Sequence, residues 1–575
     1  MSELPVAIST AREIVATLAA YGVGDVVYSP GSRDAPFAYA LARAQEQGLV
    51  RVHVRIDERS AAFFALGLSR AAEVDGQPAR PVAIVTTSGT ALAHTHPALL
   101  EAAHACVPLV VISADRPDDM RGTGANQTTE HTHILAGTVR GTWDVAPGGD
   151  AGSATAQALA WTRGGDVPAG PVHLNVQLSG RLDEPHDAAD FSPDRCSPTA
   201  PDVGGQAAGV RHRLASVDEV SALVAVTPPD EVAPSLSSLG LDPSAPGLII
   251  AGNQANLTAC EGGEAVSAIP RLARALGWPL LAEPSSGVRA EPAIVAYQQI
   301  LTRTPELADD ARQILVLGHP TLSRPVTALL CDPHRRIVAV DAAGVVTNLG
   351  KNVARTSRIL PCAQTTASAR VKRWADAWHR ADAAFVPEDV RERFLSALWR
   401  DCATGTRPPV LILGASLGIR ALDRAAPALA TSPRILANRG LAGIDGTIAF
   451  ARGVAAGLDE PVRVVVGDVT FAHDIGGLVH GVHERDDDVQ VWVLSDGGGR
   501  IFSTLEYGRD EGGEMFERYF ATPQRLDIAL AARAAGWDYL RAHTAKDVER
   551  IGAHRVRGRS VIEIDLRASA PETSS

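Results

Sequence analysis

Short apolar runs recur along the chain, and each one ends abruptly in Gly, Ser, Asp or Asn. Examples are DVVYSPGS, PVAIVTTSGT, PLVVISAD, GLIIAGN, ILVLGHP, VLILGAS, VRVVVGD and VQVWVLSDG. Continuous apolar runs of this length are typical of strands buried on both faces of a parallel sheet. Ala- and Leu-rich segments of helical periodicity, such as TALAHTHPALLEAAHA and EAVSAIPRLARALG, lie between them. The sequence therefore predicts α/β domains with open, doubly wound parallel sheets and right-handed crossovers.

Two stretches rich in Pro, Asp and Gly interrupt this alternation, at 181–209 and near 361–409. Interpreted as linkers or interdomain crossings, they divide the chain into blocks of 1–185, 210–365 and 385–568. A prior of about 150 residues per domain allows three or four domains in 575 residues, and we expect three. The terminal SAPETSS is predicted to fray.

Composition and charge exclude several classes of protein. The chain is 45% hydrophobic and 21% charged, as in ordinary globular proteins, and its net charge of -12 argues against nucleic acid as a partner. The six cysteines are far apart and include no CxxC pair, so we expect reduced thiols. The N-terminal MSELPVAIST has no basic n-region, and no apolar run approaches the roughly 20 residues that span a bilayer. We expect a cytoplasmic protein without membrane insertion.

Two acidic residues follow neighbouring strand signals in the third block. Asp468 ends the apolar run of VVVGDVTFAHD, and Asp496 ends that of VWVLSDGGGRIF, 28 residues later. Ligands bind at the carboxyl ends of parallel strands, where two carboxylates can share one Mg²⁺ with a phosphate ligand. The glycines after Asp496 permit close backbone approach, and the helix after Asp468 offers amide donors to an anion. The pattern predicts a metal-bridged diphosphate site, although an N-cap and a plain glycine turn fit the spacing equally well.

These residues carry a resemblance to a known superfamily. GDVT followed by DGGG resembles the metal and diphosphate motif of thiamine-diphosphate enzymes, and DERSAAFFALGLSRA with TTSGTALAHTHPALLEA resembles their pyrimidine-binding domain. SPGSRDAPF, DERSAAFFALG, TSGTA, ADRP, GANQT, NRGLAGIDG and GGGRIFSTLE stand in the order found in the 2-succinyl-5-enolpyruvyl-6-hydroxy-3-cyclohexene-1-carboxylate synthases of menaquinone biosynthesis. The resemblance spans about residues 5–565, strongly in the first and third blocks and weakly in the middle.

The resemblance implies a pyrimidine-binding domain at 1–185, a central domain at 210–365 and a diphosphate-binding domain at 385–568. It implies a transferase that decarboxylates 2-oxoglutarate and adds the resulting succinyl carbanion to isochorismate in a 1,4 fashion. The implied cofactors are thiamine diphosphate and Mg²⁺ or Mn²⁺. Because the two halves of the cofactor site come from different subunits in this superfamily, a homodimer or homotetramer with active sites at the subunit interface is also implied.

The stretch RIDERSAA places two carboxylates, Asp57 and Glu58, where a strand gives way to a helix. Pattern alone indicates a helix-capping acid and does not choose between the two. The resemblance assigns Glu58 to the acid that bonds the aminopyrimidine ring of the cofactor, which is acid–base catalysis by a carboxylate. Asp57 is then expected to be structural.

The resemblance also implies the remaining cofactor contacts. The implied metal ligands are Asp468, Asp496 and the Gly498 carbonyl; the family often has Asn in place of Asp496, and an immediate neighbour of Asp496 is an alternative ligand. The implied cofactor-binding residues are Glu58, Ser416, Ile444, Asp468, Gly498, Ile501 and Phe502. Of these, Ile444 props the cofactor in its bent shape, whereas on residue type alone such aliphatic side chains would be ordinary core.

Both implied substrates are dicarboxylates, which planar arginines bind well. A lone arginine is usually a solvated surface charge, but several stand in the strand-end loops of this chain. On the isochorismate side the resemblance implies Ser32, Arg33, Arg116, Asn126, Gln127 and Arg324. For the 2-oxoglutarate-derived group and the substrate wall it implies Ser416, Arg420, Arg439, Phe502 and Leu505. The family can carry a second basic residue where this chain has Ser323.

Three alternatives remain. The first is another thiamine-diphosphate carboligase or 2-oxo-acid decarboxylase, of the acetolactate synthase or oxo-acid decarboxylase kind, against which the arginines favour dicarboxylates. The second is a histidine-metal enzyme, because His94, His96 and His104, and separately His131 and His133, are close in sequence without a recognised zinc-ligand spacing. The third is a catalytically inactive relative that binds or regulates, against which the retained Glu58 and Asp468 argue.

Overall fold

A computed structural model of the chain describes residues 4–165, 167–185, 208–214, 232–261, 263–362, 367–387, 389–405 and 407–567. Its strands form three sheets, of seven, five and six strands, each accompanied by helices. This architecture confirms the predicted α/β class with open, mostly parallel sheets. The prediction for SAPETSS lies outside the described residues, and the block boundaries at 1–185, 210–365 and 385–568 stay a prediction.

The first sheet has the strand order β2-β1-β3-β4-β6-β5-β7. Its strands are β1 (Asp25–Tyr28), β2 (Arg51–Val54), β3 (Val82–Thr86), β4 (Leu109–Asp115), β5 (Gly141–Val145), β6 (Val172–Gln177) and β7 (Val210–Leu214). Its helices are α1 (Val6–Ala20), α2 (Ala35–Glu46), α3 (Glu58–Arg70), α4 (Ala91–His94), α5 (His96–His104), α6 (His131–Ile134) and α7 (Ala151–Thr162).

One strand of this sheet departs from the prediction. β7 pairs antiparallel with β5, with Gly141 opposite Leu214, whereas the other pairs in the sheet are parallel. The sequence VRHRL of β7 has no continuous apolar run, since the strand lies at the sheet edge and is largely exposed. Residues 210–214, which we assigned to the central block, therefore belong to the first sheet.

The second sheet is wholly parallel in the order β12-β11-β10-β8-β9. Its strands are β8 (Leu248–Ala251), β9 (Leu280–Ala282), β10 (Gln313–Leu317), β11 (Arg336–Val340) and β12 (Val353–Ser357). The helices that follow in this part of the chain are α8 (Ala265–Leu276), α9 (Tyr297–Arg303), α10 (Glu306–Asp309), α11 (Arg324–Cys331) and α12 (Ala369–Ala383).

The third sheet is also parallel, in the order β14-β13-β15-β16-β18-β17. Its strands are β13 (Val410–Leu413), β14 (Ile435–Ala437), β15 (Val462–Gly467), β16 (Val489–Ser495), β17 (Asp538–Ala542) and β18 (Arg559–Asp565). Its helices are α13 (Val390–Ala403), α14 (Leu417–Ala425), α15 (Thr447–Leu458), α16 (Asp468–His473), α17 (Glu514–Phe516), α18 (Ile528–Ala534) and α19 (Ala545–Gly552). Among the described residues, none of these helices or those above has the length and apolar character needed to cross a bilayer.

Helices α3 and α15 join the first sheet to the third through direct backbone contact. A Cβ added at Gly67 of α3 would lie 2.1 Å from the carbonyl oxygen of Phe450, and one added at Gly453 of α15 would lie 2.0 Å from that of Phe64. Buried side chains of both helices and both sheets form one continuous apolar cluster. The small residues of α3 therefore pack against another domain of the same chain.

Substituting Gly453 by Ala should lower the free energy of unfolding by about 1–3 kcal/mol, because the added methyl group meets backbone that cannot rotate away. Urea unfolding followed by circular dichroism measures this loss. Gly24→Ala is the matched control, since no atom lies within 4 Å of an added Cβ there. Equal unfolding midpoints for the two variants would contradict the close α3–α15 contact.

Candidate active site

The two carboxylates at the start of α3 have different surroundings. Asp57 caps the helix: its carboxylate accepts hydrogen bonds from the Arg59 amide at 3.0 Å and the Ser60 hydroxyl at 2.9 Å. Glu58 is the first residue of the helix and is half-buried. Asp57 therefore caps α3, and the Glu58 side chain takes no part in the cap.

A buried acid that the sequence interpretation missed lies beside Glu58. Asp34 has no exposed surface and accepts a hydrogen bond from the Gly31 amide at 2.9 Å. Burial, to which the charge of Glu58 adds, raises the pKa of Asp34 to about 7. The signal for Asp34 was the strand-end motif SPGSRD, in which it is the acidic residue.

Asp468 ties together the ends of β15 and β16. One carboxylate oxygen accepts hydrogen bonds from the amides of Gly497 and Gly498, at 3.0 and 2.9 Å, and the other accepts from Val469 at 2.8 Å. Burial nevertheless raises the pKa of Asp468. Its carboxylate therefore bridges two strand ends instead of simply capping its own helix.

Asp496 carries its own counter-charge. Its Oδ2 atom lies 3.0 Å from a guanidinium nitrogen of Arg391, in α13. Burial raises the pKa of Asp496 to about 6; Arg391 opposes this rise and the charge of Asp468 adds to it. The two acidic side chains are thus close enough to interact, as a shared cation requires. Arg391 escaped the sequence interpretation because it lies 105 residues from its partner.

The glycine turn after Asp496 is shaped by close backbone packing. Gly498 has a φ of +115°, and a Cβ there would lie 2.1 Å from the carbonyl oxygen of Ala521. The Gly498 carbonyl accepts a hydrogen bond from the Arg500 amide at 2.8 Å, which leaves its second lone pair for another partner. Only glycine fits this position.

These residues fit a magnesium ion shared with a diphosphate. In the described ranges no group of three or more His, Cys, Asp or Glu side chains could enclose a metal ion. Mg²⁺ commonly takes one or two protein carboxylates and completes its shell with phosphate oxygens and water, which suits Asp468 and Asp496. Of the histidines of the histidine-metal alternative, His96 bonds Thr138 at 2.9 Å and His131 bonds the Gly89 carbonyl at 3.1 Å.

The predicted apolar wall follows the glycine turn. Ile501 and Phe502 lie in a short 3-10 helix that Leu505 terminates, and all three side chains are half-buried. The Phe502 ring packs against those of Tyr507 and Phe520, with centroids 6.2 and 6.0 Å apart. This aromatic packing orders the segment.

Ile444 lies beside the junction of α3 and α15. Its side chain is half-buried, and two residues later Gly446 meets the Phe63 ring, 1.9 Å from the position of an added Cβ. Ser416 is the N-cap of α14, where its hydroxyl oxygen accepts a hydrogen bond from the Gly418 amide at 3.1 Å. Both predicted cofactor residues therefore stand at the starts of helices of the third domain.

The structure brings together the two arginines predicted in the first domain. Arg33 donates to the Leu178 carbonyl at 2.9 Å. Burial, and next the charge of Arg116, lower the pKa of Arg33. The Nε atom of Arg116 is buried and has no hydrogen-bond partner among the described residues. An unsatisfied buried donor next to a second cation favours an anionic ligand.

Three further residues predicted on the isochorismate side, Ser32, Asn126 and Gln127, are exposed. Asn126 and Gln127 line a cavity of ≈ 580 Å³, together with Gly89 and Thr90. The Gln127 amide donates to the Ser88 carbonyl at 2.9 Å, and this contact attaches the loop to the turn after β3. Ser32 is exposed beside Arg33.

Arg121 anchors the loop that carries Arg116, Asn126 and Gln127. It bonds both carboxylate oxygens of Asp144 at 3.1 Å, and Asp115 at 2.8 Å. Both acids are buried, at the ends of β5 and β4. The sequence interpretation did not include Arg121, since its partners became apparent only when the strand ends came together.

The predicted arginines of the second and third domains form a separate group. Arg439 donates through Nε and Nη2 to the Thr321 hydroxyl, at 3.0 and 2.8 Å, and Arg420 donates to the Leu322 carbonyl at 3.0 Å. Burial is the main cause that lowers the pKa of both guanidinium groups. Arg324 differs: it is 69% exposed and pairs with Glu506 at 2.7 and 3.3 Å.

Glu101 of the first domain contacts the backbone next to Arg439, and the sequence interpretation missed this residue. It is buried, and its two oxygens accept hydrogen bonds from the amides of Gly440 and Leu441, each at 2.7 Å. The backbone next to Arg439 is therefore held by an acid from α5.

Comparison with known proteins gives the family. Residues 8–134 match the family model described as the N-terminal TPP binding domain of thiamine pyrophosphate enzymes, and residues 424–564 match the model of their C-terminal TPP binding domain. The crystal structure of benzoylformate decarboxylase from Polynucleobacter necessarius superposes with a TM-score of 0.62 at 16% identity, covering 97% of this chain and 98% of that one. At that identity the likeness concerns the fold.

Relatives similar over nearly the whole chain narrow the assignment. Proteins named 2-succinyl-5-enolpyruvyl-6-hydroxy-3-cyclohexene-1-carboxylate synthase from Arthrobacter sp. (strain FB24), a Nocardioides species and Kineococcus radiotolerans are each 38% identical to it. The alignments cover 98%, 98% and 96% of this chain and 90%, 95% and 95% of those proteins. With its two thiamine pyrophosphate domains and this similarity, the chain belongs to the 2-succinyl-5-enolpyruvyl-6-hydroxy-3-cyclohexene-1-carboxylate synthase family of thiamine-diphosphate enzymes.

Proposed function

We propose that the chain catalyses the reaction for which its family is named, in menaquinone biosynthesis. 2-Oxoglutarate loses CO₂, and the remaining succinyl unit adds to isochorismate in a 1,4 fashion to give 2-succinyl-5-enolpyruvyl-6-hydroxy-3-cyclohexene-1-carboxylate. The observation that carries the proposal is that Arg420 and Arg439 of the third domain contact neighbouring residues of one loop, through the Leu322 carbonyl and the Thr321 hydroxyl, with Arg439 buried and Arg420 half-buried. Partly desolvated guanidinium groups suit a substrate with two carboxylates.

The cofactor would be held mainly by the third domain. When bound, thiamine diphosphate supplies the electron sink for the decarboxylation. Asp468, Asp496 and the Gly498 carbonyl would hold Mg²⁺ or Mn²⁺ against its diphosphate, and Ser416, Ile444, Ile501 and Phe502 would line its rings. Arg391 offsets the charge of Asp496, so the site tolerates a second carboxylate where relatives often have Asn.

Glu58 would move the proton. Its carboxylate would hydrogen-bond the aminopyrimidine ring of the bound cofactor and exchange a proton with it. Nearby Asp34, whose pKa burial raises to about 7, would be largely neutral below that pH and so would add little negative charge next to Glu58.

The substrate carboxylates would be divided between two arginine groups. Arg420 and Arg439, with Ser416, would bind the 2-oxoglutarate side, and Leu505 and Phe502 would pack against the carbon chain. Ser32, Arg33, Arg116, Asn126 and Gln127 would bind isochorismate, with Arg324 released from Glu506. The Nε atom of Arg116, which has no hydrogen-bond partner within the described ranges, supports this division.

The active site would be completed by a second copy of the chain, in a homodimer or homotetramer. Segment 54–59 contacts segment 473–484 of the same chain, through Arg55 and Glu484 at 2.9 Å. Both segments expose apolar side chains: Val54 38%, Ile56 74%, Ile475 39%, Val479 48% and Val482 92%. Adjoining exposed apolar residues mark protein–protein contacts, and a second copy is the partner that the family suggests.

We also propose a cytoplasmic location. The five cysteines within the described part of the chain are free thiols. Thiols persist in reducing compartments, where disulfides are rare.

Purified protein with thiamine diphosphate and Mg²⁺ should consume isochorismate only when 2-oxoglutarate is present, with release of CO₂. Loss of the isochorismate absorbance measures the reaction, and removal of Mg²⁺ with a chelator should stop it. Pyruvate in place of 2-oxoglutarate is the control substrate. Turnover of pyruvate with 2-oxoglutarate ignored would contradict the proposal and indicate a carboligase or decarboxylase of the acetolactate synthase or oxo-acid decarboxylase kind.

Glu58→Gln should reduce turnover by about 10²–10⁴-fold, because an amide cannot exchange the proton. Thiamine-diphosphate affinity, measured by calorimetry, should stay within about threefold, since the diphosphate anchors lie elsewhere. Asp57→Asn is the matched control: its side-chain oxygen still caps α3, so turnover should be largely kept. Equal losses in both variants would instead implicate the turn as a whole.

A further inference from the structure

Loop 319–324 of the second domain extends from β10 to the start of α11 and reaches the third domain. Its Thr321 hydroxyl accepts both hydrogen bonds from Arg439, and its Leu322 carbonyl accepts one from Arg420. The side chain of Leu322 is buried in an apolar cluster with residues of the third domain. The loop thus supplies oxygen partners for both guanidinium groups.

The backbone of this loop is held by one buried acid, Glu283, at the end of β9. Its Oε1 atom accepts hydrogen bonds from the amides of Thr321 and Leu322, each at 2.7 Å. Glu283 is 2% exposed, and its Oε2 atom has no hydrogen-bond partner among the described residues. Burying a carboxyl group costs free energy unless hydrogen bonds compensate it, and here the two loop amides supply those bonds.

Packing fixes the loop on its other side. A Cβ added at Gly252 would lie 2.0 Å from the nitrogen of Pro320, so the loop rests directly on the backbone after β8. Ser323 then caps α11 through the Val326 amide. Between these two fixed points, Glu283 binds the amides of the two residues that contact the arginines.

We propose that Glu283 is a positioning residue for the acidic substrate: by holding Thr321 and Leu322 it sets the orientation of Arg439 and Arg420. The inference rests on the proposed function, in which these arginines bind the 2-oxoglutarate carboxylates. Bidentate binding of a carboxylate requires the guanidinium plane to face it. Without Glu283 the loop amides lose their acceptor, and the arginines lose the fixed oxygens against which they are oriented.

The protonation state of Glu283 indicates which substitution at this position keeps its hydrogen bonds to the loop. Burial, with the neighbouring charge of Asp423, raises the pKa of Glu283 in spite of the nearby Arg439. This shift favours the neutral acid, which glutamine copies in shape and in its one accepting oxygen. Glu283→Gln therefore keeps the loop contacts, whereas Glu283→Ala removes them.

Steady-state kinetics of the full-length protein test the inference. For Glu283→Ala we expect the KM for 2-oxoglutarate to rise about tenfold or more, with kcat changed less than about twofold, since binding is what is lost. Thr321→Val, which removes only the hydroxyl acceptor of Arg439, should shift the same KM in the same direction. Glu283→Gln should stay within about threefold of wild type.

Asp341→Asn is the matched control. Asp341 also follows a strand of the second sheet and accepts from loop amides, those of Ala343 at 2.9 Å and Val345 at 3.2 Å, and its own loop does not include the arginine partners. Its kinetic constants should match those of wild type. Equal changes in this control and in Glu283→Ala would mean a general effect on the second domain and would overturn the inference.

Amide hydrogen exchange supplies a readout that does not depend on turnover. In Glu283→Ala, but not in Glu283→Gln, peptides covering residues 319–324 should exchange faster than in wild type. Unchanged exchange and an unchanged KM for 2-oxoglutarate in an active Glu283→Ala variant would overturn this inference alone. A wild-type protein that does not consume 2-oxoglutarate would overturn the proposed function, and the inference with it.

Discussion

The backbone contact between α3 and α15 is the constraint on which the site depends. Because Gly67 and Gly453 lack side chains, the two helices approach until Cβ atoms would collide with carbonyl oxygens. This contact fixes the first sheet against the third and leaves little freedom between them. It also places the start of α3, where Glu58 lies, next to the end of α16, since Arg59 donates to the His473 carbonyl at 3.1 Å. The contact thereby makes one rigid unit of Glu58 and the strand end that carries Asp468, and in the proposed dimer each of the two would meet its counterpart in the other copy.

Acidic side chains fix the loops around the site by accepting hydrogen bonds from backbone amides. Asp468 binds the amides that follow β16, Glu101 those that follow Arg439, and Glu283 those of loop 319–324. A partly or fully buried carboxylate is costly unless donors surround it, and backbone amides are donors whose positions the fold already determines. Each acid therefore fixes a loop that carries a predicted ligand of the metal or of a carboxylate. Asp496 is the exception, because its partner is a guanidinium group, that of Arg391.

Much of the fold could be predicted from the sequence, since buried parallel strands leave continuous apolar runs such as that of β15. The edge strand β7 could not, because it is exposed and carries no such run. Among the predicted site residues, Glu58 and Asp468 lie within local motifs, so they could be named from the sequence. Arg391, Glu101 and Glu283 were not, because their partners lie 105, at least 339 and at least 38 residues away and leave no local pattern. Local motifs point to the groups predicted to touch a ligand, whereas the groups that hold them depend on the tertiary structure.

The central claim is that Glu58 of one copy works with Asp468 of another. Subunit complementation tests it most directly: Glu58→Gln and Asp468→Ala chains are each expected to be inactive, and they are co-expressed with different tags. If the site is shared between copies, each mixed dimer has one intact site, and random pairing predicts about a quarter of wild-type activity in the mixture. Because each chain carries one defect, a site formed within a single chain cannot be restored. A mixture as inactive as its two parents would contradict the account.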